Sequence, residues 1–65
     1  MPIKVREMIR ILEQDGWYLV AFEGSHRHFK HDLKKGRVTV PGKLGSDLRA
    51  GTENSILRQA ELREK

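Results

Sequence analysis

Gly16, Gly24, Gly36 and Pro41 cut the middle of this chain into runs too short for ordinary helices. The first run, WYLVAFE at residues 17–23, is rich in aromatic and β-branched side chains and reads as a strand. It is apolar on both faces, so burial on at least one is expected. Gly24-Ser25 forms a tight turn into HRHFKH, residues 26–31, a second strand. DLKKG, residues 32–36, is a hairpin loop. RVTVP, residues 37–41, is a third strand with Val38 and Val40 on one face, stopped by Pro41. Three consecutive strands with short connections give an antiparallel meander.

Helices flank the meander. Val5, Met8, Ile9 and Leu12 recur at helical spacing, with Ile11 widening the stripe, which predicts a helix over 4–15. Asp15-Gly16 ends it, Gly16 being suited to a left-handed cap. PGKLGSDLRAG, residues 41–51, reads as a loop with a short turn of helix around Ser46–Leu48. A second helix is expected from Thr52 as N-cap, with Glu53 in its first turn and Ile56, Leu57 and Ala60 as its apolar face. ELREK, residues 61–65, is expected to fray. The fold class is α+β, one α-β-β-β-α domain over residues 1–65. Both helices cover one face of a three-stranded antiparallel sheet, because nothing else can bury their stripes. Double-stranded-RNA-binding domains share this order, although order alone assigns no function.

With 65 residues the chain holds one thin two-layer core and no deep cavity for a large cofactor. It has no cysteine, which excludes disulfides, thiolate zinc sites and cysteine nucleophiles. No apolar run approaches the ~20 residues that span a bilayer. MPIKVREMIRILEQDGW lacks a signal-peptide apolar stretch, so the expected address is the cytoplasm, with no membrane partner. Of the +4 net charge, the segment from His26 to Lys43 carries +5: Arg27, Lys30, Lys34, Lys35, Arg37 and Lys43 against Asp32. A basic face of this kind fits a nucleic-acid binder, and equally a solvated lysine-rich hairpin.

All three histidines fall in GSHRHFKH, residues 24–31. Strand alternation sends His26, His28 and Lys30 to one face and Arg27, Phe29 and His31 to the other. Phe29 marks the core side, with Arg27 and His31 near the sheet edge, so His26, His28 and Lys30 lie on the open face. His26 and His28 are spaced to chelate, but zinc needs three or four ligands and His31 points away; no metal or cofactor is expected. His26 leaves the Gly24-Ser25 turn, where an imidazole can serve as general acid or base amid cations that would hold a phosphate. A plain surface histidine fits the same position. Trp17 and Tyr18 are expected in the core.

GSHRHF, residues 24–29, resembles the Gly-Ser-His-x-x-aromatic signature of HicA-type toxins, the messenger-RNA-cleaving partners of HicAB toxin–antitoxin pairs. The helix ending in Asp15-Gly16-Trp17, VTVPG at 38–42 and GTENSILRQA at 51–60 extend the resemblance along nearly the whole chain. It implies a double-stranded-RNA-binding-like fold, metal-independent endoribonuclease activity on mRNA, and neutralisation by a HicB-type antitoxin; the toxin alone is expected to be a monomer. It implies His26 as the catalytic histidine, presented by Gly24 and Ser25; His28 matches no family catalytic position and is a possible assistant. Lys30, Arg37 and Lys43 are then the expected phosphate contacts, with Lys34 and Lys35 attracting RNA from further away. Lys43 stands where many relatives have histidine, and Glu61 where they often have glycine. A non-catalytic RNA-binding module on the same fold would need the basic face but not His26.

Overall fold

The computed structural model describes residues 3–62. In chain order they form β1 (Ile3–Lys4), α1 (Val5–Gln14), β2 (Tyr18–Glu23), β3 (His26–Lys30), β4 (Val38–Val40), β5 (Asp47–Leu48) and α2 (Ala50–Gln59). The three long strands make the expected antiparallel meander in the order β2-β3-β4. One core lies between helices and sheet: Val5, Met8 and Leu12 from α1, Ile56 of α2 with Ala60 at its end, Phe29, Val38 and Val40 from the sheet, plus Trp17 and Leu48.

Both helices end in the same device. After α1, Gly16 N–H donates to the Glu13 carbonyl and Trp17 N–H to that of Leu12, each at 3.0 Å. After α2, Glu61 N–H reaches Arg58 and Leu62 N–H reaches Leu57, at 3.1 and 2.8 Å. These are Schellman caps, which need a left-handed residue just past the helix. Gly16 takes φ +102° without a Cβ, whereas Glu61 takes +59° with one. Residues 61 and 62 therefore cap α2 where fraying was expected; residues 63–65 lie outside the described residues.

Further expectations are corrected. Asp47–Leu48 is not a helical turn but a strand paired with Ile3–Lys4, held by the Lys4–Asp47 ion pair at 2.7 Å. The same loop supplies carbonyls of Ser46 and Leu44 to the free N–H groups of Val5 and Arg6 at the start of α1. Because Leu48 is anchored in the core, α2 starts at once from Arg49, and Thr52 lies inside it rather than at its N-cap. The segment 17–23 is mostly exposed: β2 is an edge strand, and the buried residues of the three-stranded sheet all lie on β3 and β4. Tyr18 accordingly lies outside the core, its hydroxyl donating to Asp32 at 3.2 Å, which holds the phenol above its usual range.

A last correction concerns His31. It is not at a loose sheet edge; its side chain is 9% exposed. The ring lies edge-on to Trp17, with centroids 5.2 Å apart, and Nε2 donates to the Asp15 carbonyl. Nδ1 accepts the N–H groups of Leu33 and Lys34 at 3.0 and 3.2 Å. Two N–H groups aimed at one nitrogen require a lone pair there, so these bonds select the Nε2–H tautomer. His31 thus ties the end of α1 to the loop after β3.

Candidate functional site

The register of the meander decides which side chains meet. Tyr18 pairs with Lys30 and Leu19 with Phe29; then Val20 bulges, and Ala21 pairs with His28, Phe22 with Arg27 and Glu23 with His26. Across the other edge Arg27, His28 and Phe29 pair with Val40, Thr39 and Val38. Paired residues share a face. The helix-free face therefore carries Tyr18, Ala21, Glu23, His26, His28, Lys30 and Thr39. The bulge turns Leu19 and Phe22 to the helix side, where Phe22 sits beyond the helices' cover, 56% exposed.

Glu23 and His26 flank a two-residue turn whose first member, Gly24, has φ +58°. A hairpin this tight needs a left-handed residue there, which is why glycine occupies it. The turn delivers His26 to the rim of the sheet, exposed. Within residues 3–62 no group hydrogen-bonds the His26 ring, whereas both nitrogens of His28 and of His31 are engaged.

His28 is the oriented neighbour. Its side chain is 14% exposed, with Nδ1 at 3.0 Å from the Thr39 hydroxyl and Nε2 at 3.1 Å from the Glu23 carboxylate. In the neutral ring this pattern has Thr39 O–H donating to Nδ1 and Nε2–H donating to Glu23. Neither Glu23 nor Thr39 stands out in the sequence. The two-residue turn is the one clue to Glu23, since it forces residues 23 and 26 opposite each other.

The basic residues separate into two groups. Lys30, Lys35, Arg37 and Lys43 are exposed. Lys43 lies beside the hairpin turn, lining with Ser25, Arg27, Phe22 and Leu44 an open, mostly apolar groove of about 440 Å³. Lys34 and Arg27 instead tie the structure together. The Lys34 ammonium donates to the Asp15 carboxylate and the Ala60 carbonyl, joining the ends of both helices. That ammonium, hydrogen-bonded to Asp15 and assisted by Trp17 N–H, holds the Asp15 carboxyl below its ordinary range against the opposing effect of desolvation. Arg27 donates to the Gly42 carbonyl at 3.0 Å and stacks over the Phe22 ring, 4.7 Å from its centroid.

Among the described residues no three His, Asp or Glu side chains are gathered in a way that could hold a metal ion, and His31 is on the opposite side from His26 and His28. No helix among them is long and apolar enough to cross a membrane. What the open face offers, among the described residues, is one imidazole with free nitrogens, a second held in fixed orientation, and the exposed Lys30 beside them. That set can move a proton and attract a phosphate. No curated protein matches the chain. The family model described as HicA toxin of bacterial toxin–antitoxin systems matches residues 5–62.

Proposed function

Since the chain belongs to the HicA family and is a toxin of a bacterial toxin–antitoxin pair, we propose that it is an endoribonuclease that cleaves mRNA with His26 as the general base or acid, and that a HicB-type antitoxin neutralises it. The observation that carries this reading is the difference among the three histidines. Proton transfer to or from a substrate needs a ring nitrogen that is reachable and not already bonded, and within residues 3–62 that describes His26 alone.

As base, His26 removes the proton of the RNA 2′-hydroxyl, whose oxygen attacks the adjacent phosphorus. The bond from phosphorus to the 5′-oxygen breaks, that oxygen takes up a proton, and the ends are a 2′,3′-cyclic phosphate and a 5′-hydroxyl. RNA brings its own nucleophile, so the protein supplies proton transfer and positive charge, and no metal takes part. Lys30, Arg37 and Lys43 contact phosphates; Lys35 adds longer-range attraction, and His28 is the neighbour able to assist. Lys34 contributes through its helix-end contacts with Asp15 and Ala60 more than through RNA. The toxin alone acts as a monomer in the cytoplasm, where its mRNA substrate is.

The test is expression of wild type and His26→Ala, each with and without the antitoxin, scored by growth and RNA integrity, followed by cleavage with purified protein in excess EDTA. Wild type alone should arrest growth and cut RNA with EDTA present, and His26→Ala should cut about 10²–10⁴-fold more slowly while remaining folded. A variant that cuts normally removes His26 from the mechanism. Products ending in free 3′-hydroxyls exclude attack by the 2′-hydroxyl.

A further inference from the structure

Glu23 is the only acidic residue in β2, β3 and β4. It stands at the hairpin end of the open face, opposite His26. Its carboxylate does not remain over that partner but reaches across to His28 Nε2, at 3.1 Å. Diagonal neighbours in an antiparallel pair lie within range of a long side chain. Packing does not hold Glu23 there, because its side chain is 79% exposed. The attraction comes from the imidazole N–H, whose direction is set from the other side by Thr39.

The surroundings make that spot suitable for an anion. The residues paired with His28 on either side are Ala21 and Thr39, both small, and along its own strand the same face carries His26 on one side and Lys30 on the other. A phosphodiester lying along this face meets the same N–H that Glu23 now uses, with the exposed Lys30 further along the same face. A carboxylate and a phosphate cannot share the position without like-charge repulsion in a partly desolvated place.

We propose that Glu23 is a built-in competitor of the substrate: its carboxylate occupies the phosphate position at His28 in the free protein and must swing aside when RNA binds. This rests on the reading that RNA binds the open face. It makes Glu23 a residue that limits RNA affinity, where the composition of the surrounding segment suggests only attraction. The exposed side chain leaves His28 by rotating into solvent, so its opposition is modest and depends on salt.

The experiment is fluorescence anisotropy with a 2′-O-methyl RNA oligonucleotide, which lacks the attacking hydroxyl, comparing wild type, Glu23→Gln and Glu13→Gln. Gln preserves the size and hydrogen bonding of Glu23 and removes its charge. Glu13, on α1, gives the same change in net charge away from the sheet. Glu23→Gln should tighten binding by about two- to fivefold, the range for one exposed charge pair, with the gain shrinking at high salt, and Glu13→Gln should change little. Equal affinities for wild type and Glu23→Gln overturn the proposal and leave the RNA reading intact. An equal gain from both variants also overturns it, because net charge alone then explains the effect. If none of the proteins binds above the level of an unrelated control, the RNA reading itself fails and takes this proposal with it.

Discussion

Gly16→Ala is the substitution that most directly tests how the histidine-rich segment is divided between structure and chemistry. A Cβ at Gly16 would lie 2.8 Å from His31 Nε2 and 3.3 Å from its Cδ2. The backbone there has φ +102°, which costs an L-residue about 1–2 kcal/mol by itself. The ring cannot simply tilt away, because Asp15, Leu33 and Lys34 bond its two nitrogens and Trp17 meets it edge-on. Displacing it weakens three hydrogen bonds, each contributing about 0.5–1.5 kcal/mol, and an aromatic contact of about 0.5–1.5 kcal/mol. Some of these bonds survive in stretched form, so the total should fall near 3–4 kcal/mol. For a chain this short the whole stability is only about 3–10 kcal/mol, scaling per residue. Urea denaturation should therefore show Gly16→Ala losing at least about a third of the wild-type stability. The sharper measurement is a double-mutant cycle with His31→Ala. Once the ring is gone, the same glycine substitution should cost only its backbone strain, about 1–2 kcal/mol. Equal costs in both backgrounds would show that the ring contact carries nothing, and a cost well under 1 kcal/mol in the wild-type background would refute the strain argument too.

Two further outcomes follow from the helix ends. Asp15 has a depressed carboxyl in the folded state, so its pairing with Lys34 stabilises the fold fully above its unfolded value near 3.8 and loses that contribution as pH falls through the lower folded value; the melting-temperature gap between wild type and Asp15→Asn should be constant near neutral pH and should shrink below about pH 4. Glu61→Gly should raise stability by about 1 kcal/mol in urea melts, because Glu61 takes φ +59° at a cap where glycine carries no Cβ penalty, and a loss of stability would show that its side chain makes an interaction outweighing the strain.

The meander was legible because its punctuation is local. Gly24-Ser25 separates two runs of strand-forming residues, and the alternation of HRHFK placed Phe29 in the core with His26, His28 and Lys30 on the open face. The stripe of α1 was equally plain. The pairing of β1 with β5 was not, because two-residue strands carry no periodicity and their partners are far apart in sequence. Burial of β2 was misjudged for a related reason. An apolar run suggests burial, yet burial depends on cover: β2 and β4 are both edge strands, and of the two only β4 has buried residues. The bulge at Val20 adds a change of face that no single residue announces. At the candidate site, the sequence distinguished His26 by its turn but could not separate Lys34 from Lys35. One is engaged by Asp15 and Ala60 and the other is exposed, a difference created by where two helices end.

The three histidines illustrate what bonding adds to position. All lie within six residues, and composition treats them alike. His31 is fixed by backbone groups of two segments, an arrangement that stabilises and leaves no nitrogen for a substrate. His28 is held by a hydroxyl and a carboxylate on flanking strands, so its orientation is set while its partners remain displaceable side chains. His26 has neither kind of restraint among the described residues and stands at the tip of a hairpin. Order therefore decreases from His31 to His26 as reach toward solvent increases. The segment from His26 to His31 anchors the core through Phe29 and His31 at one end and, among the described residues, leaves the His26 ring without a hydrogen-bond partner at the other. Moving the free ring inward would bury an unpaired polar group, and moving the anchoring ring outward would release the loop after β3.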